Sequence, residues 1–393
     1  MSVVLSACQG APSAAAPGGS STSGSERGSG ASAPAPATPS TVLDVFPADL
    51  ATGIAPNSPV TVRATSGTFG KVTLAGSKGE PVAGRMRPDG TWQSSDLLRP
   101  SSSYTLTVES PGPDGAMAAH TSTFATLKPD VTATYSLIPG DGTVGVGMPV
   151  IVQFSSAVVT KAQRAEVEKR VTVTTVPQQV GAWGWLDDRQ LMWRPRSYWL
   201  PGTKVSVSTP LHGVQTGDGK WVSRDGSASF TVGSSMVSSV DMNAHRLMVR
   251  RNGELIRSFP VSTGMPGPLT ETRFGTKVIM ERSAVVVMDS STVALPPGTK
   301  PYKISVKWDL KLTGTGEYIH SAPWSVGAQG HQNVSHGCTN MAPADAEWMF
   351  NHSRVGDIVK YTGSSREFRP SEGIGVWVYD FAGWKARSAL VPA

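Results

Sequence analysis

At 393 residues the chain is long enough for two or three folded domains, and with 39% hydrophobic and 16% charged residues it is too apolar to be wholly disordered. The 42 glycines and 30 prolines favour turn-rich β-sandwiches or barrels and argue against helical bundles. A formal net charge of +6 suits an anionic surface or ordinary solvated lysines and arginines; with no Lys/Arg run and no aromatic-basic repeat, nucleic-acid binding is set aside.

The amino terminus reads Met1-Ser2-Val3-Val4-Leu5-Ser6-Ala7-Cys8, and Leu-Ser-Ala-Cys resembles a bacterial lipobox, in which a lipid is attached to the cysteine. The basic segment and long apolar run of a complete signal peptide are missing, so the expectation is a truncated lipoprotein signal. From Gln9 to Ser40 the chain is almost entirely Ala, Pro, Ser, Gly and Thr. Such a composition buries too little apolar surface to offset chain entropy, so residues 1–40 are expected to form a disordered tether. No segment approaches the roughly 20 apolar residues of a transmembrane helix.

Two stretches then resemble each other. Phe46-Pro47-Ala48-Asp49, Gly53-Ile54 and Pro59-Val60-Thr61-Val62 match Ile138-Pro139-Gly140-Asp141, Gly145-Val146 and Pro149-Val150-Ile151-Val152. The segments close on Thr123-Phe124-Ala125-Thr126 and Ser229-Phe230-Thr231-Val232, so the unit repeats with insertions. Short alternating strands such as Tyr104–Val108 and Lys204–Ser208 point to two immunoglobulin-like sandwiches, over 41–128 and 129–233. Trp183, Trp185, Trp193 and Trp199 in the second unit read as core and interface packing, or alternatively as a sugar-binding face.

A third domain is expected over 234–363. Asn252-Gly253 between alternating segments predicts a type I′ hairpin. Strands follow at Lys277–Met280, Ala284–Met288 and Gly356–Tyr361, with one helix at Pro343–Phe350, opened by proline and acidic in its first turn. Residues 364–393 carry Trp377 and Trp384 and are expected to pack as an extension on that domain.

The chemistry concentrates in His320-Ser321-Ala322-Pro323-Trp324, Gly330-His331 and Ser335-His336-Gly337-Cys338-Thr339-Asn340. A thiol nucleophile needs a base and donors for a developing oxyanion. Gly337 leaves the approach to Cys338 open, and backbone N–H groups at this turn are candidate oxyanion donors. His320 lies eighteen residues before the cysteine and His336 two before it. Three other readings stand beside this: a buried inert cysteine, a thiol hydrolase, and a metal site built from His320, His331, His336 and Cys338, whose spacing matches no common zinc signature.

This stretch resembles the signature of the L,D-transpeptidase catalytic domain of YkuD type: His, a spacer, then Ser-His-Gly-Cys-x-Asn. The likeness covers about Val237 to Thr362, and the His-Ser-Ala-Pro-Trp-Ser wording is most similar to mycobacterial members, which also carry a lipobox, a tether and immunoglobulin-like domains. The resemblance implies a mostly β fold of two sandwiches followed by a β-rich catalytic domain. It implies Cys338 as nucleophile, His320 as base oriented through Ser321 or nearby backbone, His336 and Gly337 lining the site and supporting the oxyanion, and Asn340 closing the motif. It places Tyr302 and Trp324 on a lid over the groove, Tyr302 by its spacing to Trp308. His331 and Ser335 lie in the loop before the nucleophile and are taken as substrate contacts.

The implied reaction is direct diaminopimelate-to-diaminopimelate crosslinking of peptidoglycan stems through a Cys338 thioester, without metal or organic cofactor. Carbapenems are implied as acylating inhibitors, and the location is the wall side of the plasma membrane, anchored through Cys8. Two alternatives remain: an L,D-carboxypeptidase, in which water replaces the acceptor amine, and a catalytically weak wall-binding scaffold lipoprotein.

Overall fold

The computed structural model describes residues 41–112, 115–292, 298 and 300–392. The expected lipidation site Cys8 and the tether lie outside the described residues. The first unit contains β1 (Val42–Phe46), β2 (Ala51–Ile54), β3 (Thr61–Ser66), β4 (Val72–Gly76), β5 (Pro81–Val82), β6 (Gly84–Met86), β7 (Trp92–Ser94), β8 (Ser103–Pro111) and β9 (Met117–Thr126). They form two sheets, β1-β3-β7-β6 and β2-β9-β8-β4-β5. Between them lies an apolar core that includes Val62, Leu74, Trp92, Tyr104, Leu106 and Phe124. Along β8 the alternation Tyr104, Leu106, Val108 inward and Ser103, Thr105 outward is the period of two that a half-buried strand requires.

The second unit comprises β10 (Val131–Ala133), β11 (Tyr135–Ile138), β12 (Thr143–Val144), β13 (Val150–Phe154), α1 (Lys161–Glu168), β14 (Thr172–Val176), β15 (Gly181–Trp185), β16 (Gln190–Pro195), β17 (Lys204–Thr209), β18 (Gln215–Gly217), β19 (Lys220–Val222) and β20 (Gly226–Val232). Its sheets β11-β13-β16-β15 and β12-β20-β17-β14 repeat the order of those of the first unit, except that β5 has no counterpart, and β10-β19-β18 is an addition. The repeat extends to pairing sense: β2 runs parallel to β9 as β12 runs parallel to β20. The short α1 is held by a capping box, in which Thr160 and Gln163 each satisfy the other's backbone N–H. Trp185, Trp193 and Trp199 are buried and Trp183 is partly buried in the cores, as packing residues would be.

The third unit holds β21 (Met236–Asp241), β22 (Arg246–Arg251), β23 (Glu254–Pro260), β24 (Gly275–Val278), β25 (Glu281–Asp289), β26 (Lys303–Lys311), β27 (Tyr318–Ser321), β28 (Thr339–Met341), α2 (Pro343–His352) and β29 (Ile358–Thr362). One sheet has the order β23-β22-β21-β29-β24 and the other β25-β26-β27-β28. Asn252 and Gly253 both take positive φ, as the predicted hairpin requires, and join β22 to β23. The helix begins at Pro343 as expected and packs Ala346 and Met349 between the sheets with Leu310, Ile319 and Met341.

The carboxyl-terminal extension, which includes α3 (Phe381–Lys385), divides its contacts. Its first part lies on the catalytic domain, with Phe368 N–H donating to Phe274 O. From Trp377 onward it runs against the second sandwich instead. Arg194 donates to the carbonyls of Tyr379 and Asp380, Trp384 Nε1 donates to Ala182 O, and Arg387 donates to Trp185 O and Leu186 O. The physical reason is a shared core: Trp384, Val376 and Ile374 are buried in one cluster with Val150, Trp193 and Trp199 of the sandwich and Ile358 of the catalytic sheet.

Candidate active site

Strands β27 and β28 run parallel, with Ile319 opposite Thr339 and His320 opposite Asn340. Residues two apart on a strand share a face, so Tyr318 and His320 lie on the same side as Asn340 and the adjoining Cys338. All four line one cavity of about 780 Å³, together with Ser335, His336, Tyr302, Trp324 and the hairpin residues Val286 to Asp289.

His320 is almost wholly buried, and its Nδ1 lies 3.0 Å from the carbonyl oxygen of Ser321. A carbonyl only accepts, so Nδ1 carries the proton and Nε2 keeps a lone pair. Burial pushes the imidazole down to about 4, against a smaller opposing effect of the Ser321 bond. Burial likewise pushes the Cys338 thiol up to about 12, while a hydrogen bond from the Tyr318 backbone works the other way. Sγ donates to Gly316 O at 3.5 Å. The resting pair is therefore a neutral thiol and a neutral imidazole, with the Nε2 lone pair available to accept a proton.

The turn carrying the nucleophile is stapled by a hydroxyl. Ser335 Oγ accepts the Gly337 N–H at 3.1 Å and donates to Cys338 O at 2.6 Å. Thr272 Oγ1 donates to Gly337 O at 2.9 Å and accepts the Gly264 N–H at 2.8 Å. Two expectations change here. Gly337 does not line the cavity, and its N–H is already engaged, so it is removed from the candidate oxyanion donors. Its φ of +132° is what demands glycine; an added Cβ would meet only ordinary contacts with Glu317 and Thr270 O.

The remaining predicted residues separate. Ser321 acts through its backbone carbonyl; it is buried outside the cavity lining. Asn340 Nδ2 donates to Ser325 Oγ at 3.0 Å, and its backbone exchanges two bonds with Ser262. The Tyr302 ring lies 5.7 Å from that of His336, and its backbone exchanges two bonds with Ser290, which fixes it at the hairpin's far end. Trp324 is 57% exposed in the 3-10 turn after β27, outside the hairpin, with its ring 6.0 Å from His320. It therefore belongs to the rim and not to the hairpin lid. Trp308 is in the hairpin but packs on Phe350, outside the lining. His331 is exposed and also lies outside the lining.

Sequence reasoning missed Tyr318, which the strand alternation with His320 could have revealed. It also missed a buried ion cluster behind the nucleophile turn. Glu317 receives Arg273 at 2.8 Å and Lys277 at 2.5 Å, and Arg273 reaches Glu372 at 2.8 Å. Lys277 Nζ also sits 4.0 Å over the Tyr361 ring, whose hydroxyl bonds Thr339 Oγ1 at 2.8 Å. Asp309, buried on β26 with neither carboxylate oxygen partnered, is pushed up to about 7 by desolvation.

Residues 236–360 match the family model of the L,D-transpeptidase catalytic domain, YkuD, and residues 51–215 match a bacterial Ig domain model that runs across both sandwiches. L,D-transpeptidase 2 of Mycobacterium tuberculosis is 38% identical over 345 residues, covering 87% of this chain and 83% of the relative. L,D-transpeptidase 5 of the same species is 34% identical over 362 residues, 90% and 78% of the two chains. The solved transpeptidase LdtMt1 in complex with imipenem is 33% identical with a TM-score of 0.50, covering 60% of this chain and all of that one. The chain belongs to the L,D-transpeptidase family and is a transpeptidase, an acyltransferase, built from immunoglobulin-like and YkuD catalytic parts.

Proposed function

We propose that the protein crosslinks peptidoglycan through a thioester on Cys338. Nε2 of His320 takes the thiol proton as Sγ attacks the carbonyl between diaminopimelate and the terminal D-Ala of a tetrapeptide stem. The resulting imidazolium protonates the departing D-Ala amine. A side-chain amine of a second diaminopimelate then attacks the thioester, giving a direct diaminopimelate-to-diaminopimelate link and freeing the thiol. His336, Tyr302 and Trp324 frame the groove, and Ser335 holds the turn. Carbapenems acylate the same sulfur; the complex of the relative LdtMt1 with imipenem supports this reading.

The observation that carries the proposal is the Nδ1–H of His320 locked on Ser321 O, which leaves Nε2 bare in the cavity that holds Sγ. In this reading the work is done on the outer side of the plasma membrane, with lipid on Cys8 as anchor and the sandwiches as spacers. The test is intact mass after incubation with a disaccharide-tetrapeptide, for wild type and Cys338→Ala. An acyl adduct on the wild type alone, with crosslinked dimer released, supports transpeptidation. Shortened monomer alone moves the assignment to an L,D-carboxypeptidase, and no adduct on either protein rejects a Cys338 thioester.

A further inference from the structure

A second cleft, of about 400 Å³, opens where the second sandwich meets the catalytic domain, with Ser234, Arg251, Arg282, Asn351, His352 and Arg354 in its lining. Three arginines and no acidic residue line it. None of the three arginines forms an ion pair among the described residues. Arg282 is committed to structure: it lies 4.4 Å over the Phe350 ring and donates to Phe350 O at 2.6 Å. The side chains of Arg251 and Arg354 are not so committed. Arg250, next to Arg251, reaches Gly253 O, whereas the Arg354 guanidinium rests against the backbone of Gly233, where an added Cβ would come within 3.1 Å of it.

Acids lie near the group without forming an ion pair with it: Glu254 stands opposite Arg251 across the β22–β23 hairpin, and Asp357 lies beside Arg354. Asp357 is buried; its Oδ2 accepts the Arg354 backbone N–H, its Oδ1 has no partner, and burial pushes the carboxyl up to about 7. His352 donates Nδ1–H to Trp348 O at 2.7 Å, and its ring stacks on Trp348 with centroids 4.0 Å apart. Like charges gathered without counter-charge cost free energy, and a bound oxyanion removes that cost while accepting from forked N–H donors.

The cleft is separate from the catalytic cavity. Across the second catalytic sheet Arg282 pairs with Leu310, Leu310 with Ile319, and Ile319 with Thr339, next to the nucleophile. Three strand spacings put Arg282 roughly 14 Å from Thr339, at the other edge of the sheet. Leu310 and Ile319 of that row face α2, while His320 and Asn340 face the cavity, so the two sites lie on opposite faces.

We propose that this junction is a binding site for a phosphate group, held by Arg251 and Arg354 with Arg282 and His352 at its margin. A phosphate offers more charge and more acceptor oxygens than a carboxylate, matching several donors converging from separate segments. The assignment is independent of the reading of the active site. The same group could be carried by a soluble phosphate ester or by a lipid headgroup.

The experiment uses the whole chain and inorganic phosphate, titrated calorimetrically near physiological ionic strength, for wild type and R251Q/R354Q. The Arg354 contact to Asp357 is made by its backbone, so the double variant should fold; unchanged circular dichroism and thermal midpoint check this. Saturable binding by wild type that weakens tenfold or more in the variant supports the site. No binding by wild type, or equal binding by both, overturns it. Sedimentation with phosphatidylglycerol and phosphatidylcholine vesicles then separates the sources. Retention on the anionic vesicles that is lost in the variant assigns a lipid headgroup, and no retention alongside intact phosphate binding assigns a soluble ester.

Discussion

Lys277 Nζ lies 2.5 Å from Glu317 Oε2 with no solvent on the lysine at all, directly behind the turn that carries Cys338. Burial lowers the lysine pKa, and the Coulombic attraction and hydrogen bond of Glu317 work against that shift. Removing one member of such a pair leaves an uncompensated buried charge. Lys277→Met is therefore expected to lower unfolding free energy by about 3–5 kcal/mol. Arg273 remains on Glu317, which sets the lower end of that range. A denaturant midpoint within error of wild type would refute this.

The staple at Ser335 predicts a kinetic defect without a folding defect. Ser335→Ala removes both the acceptor of the Gly337 N–H and the donor to Cys338 O. The turn then has fewer restraints on the position of Sγ in the cavity it shares with His320, and small misplacements of a reacting group cost heavily. Acylation of Cys338 is expected to slow by about 10- to 100-fold with the thermal midpoint little changed. Ser335→Thr, which keeps the hydroxyl, should recover most of the rate. An alanine variant as fast as wild type would show that the staple is dispensable.

The paired shifts of Cys338 and His320 give a pH signature. The imidazole, pushed down to about 4, is a competent base throughout the neutral range and becomes protonated only as pH falls through about 4. The thiol, pushed up to about 12, stays neutral through the same range. Alkylation of Cys338 by iodoacetamide, followed by mass, should thus lack an inflection between pH 5 and 8. At pH 8 it should run at least tenfold slower than a free thiol of pKa about 8.5. An inflection near 6.5 would mean that His320 titrates at its ordinary value, and the neutral-pair description would fall.

Much of this architecture is written locally. Asn252-Gly253, Pro343 before an acidic turn, and the repeated Phe-Pro-Ala-Asp and Ile-Pro-Gly-Asp segments report on their immediate neighbours, so hairpin, helix and repeat could be read from them. His320 and Cys338 were legible because their motif is contiguous. What escaped depends on distant contacts. Glu317 meets Lys277 forty residues away, and the extension's second half is placed by tryptophans whose partners lie some 200 residues earlier. Gly337 was read as clearance for substrate, whereas its backbone angle is the constraint, and a sequence does not distinguish these two uses of glycine.

Asp309 makes a stability prediction of definite sign. Its carboxyl sits up near 7 when folded and near 4 when unfolded, so the folded state binds more protons between those values. Stability is then greatest below about pH 4 as far as this group is concerned, and declines as pH rises through about 7. Asp357 adds to the same trend. Asp309→Asn should be neutral at pH 5 and stabilising at pH 8, by about 1–2 kcal/mol after allowance for solvent screening. Equal effects at both pH values would mean that the carboxyl is not held protonated.

The junction beside the second sandwich depends on two glycines of that repeat. Gly145 N–H donates to Val355 O and Gly147 N–H to Gly356 O, both at 2.8 Å. A Cβ at Gly145 would lie 2.1 Å from Asp357 N, and one at Gly147 would lie 2.1 Å from the Ile358 side chain. The first of these obstacles is backbone, so the two units must separate to admit a methyl group. Gly145→Ala is expected to cost about 1–3 kcal/mol, as overpacking does, and to speed proteolysis around residues 233–235. Gly140→Ala is the control, since nothing lies within 4 Å of a Cβ there. If both variants melt and digest like wild type, the sandwich is not clamped to the catalytic domain through this contact. If only Gly145→Ala loosens, the repeat holds the catalytic sheet as a fixed partner.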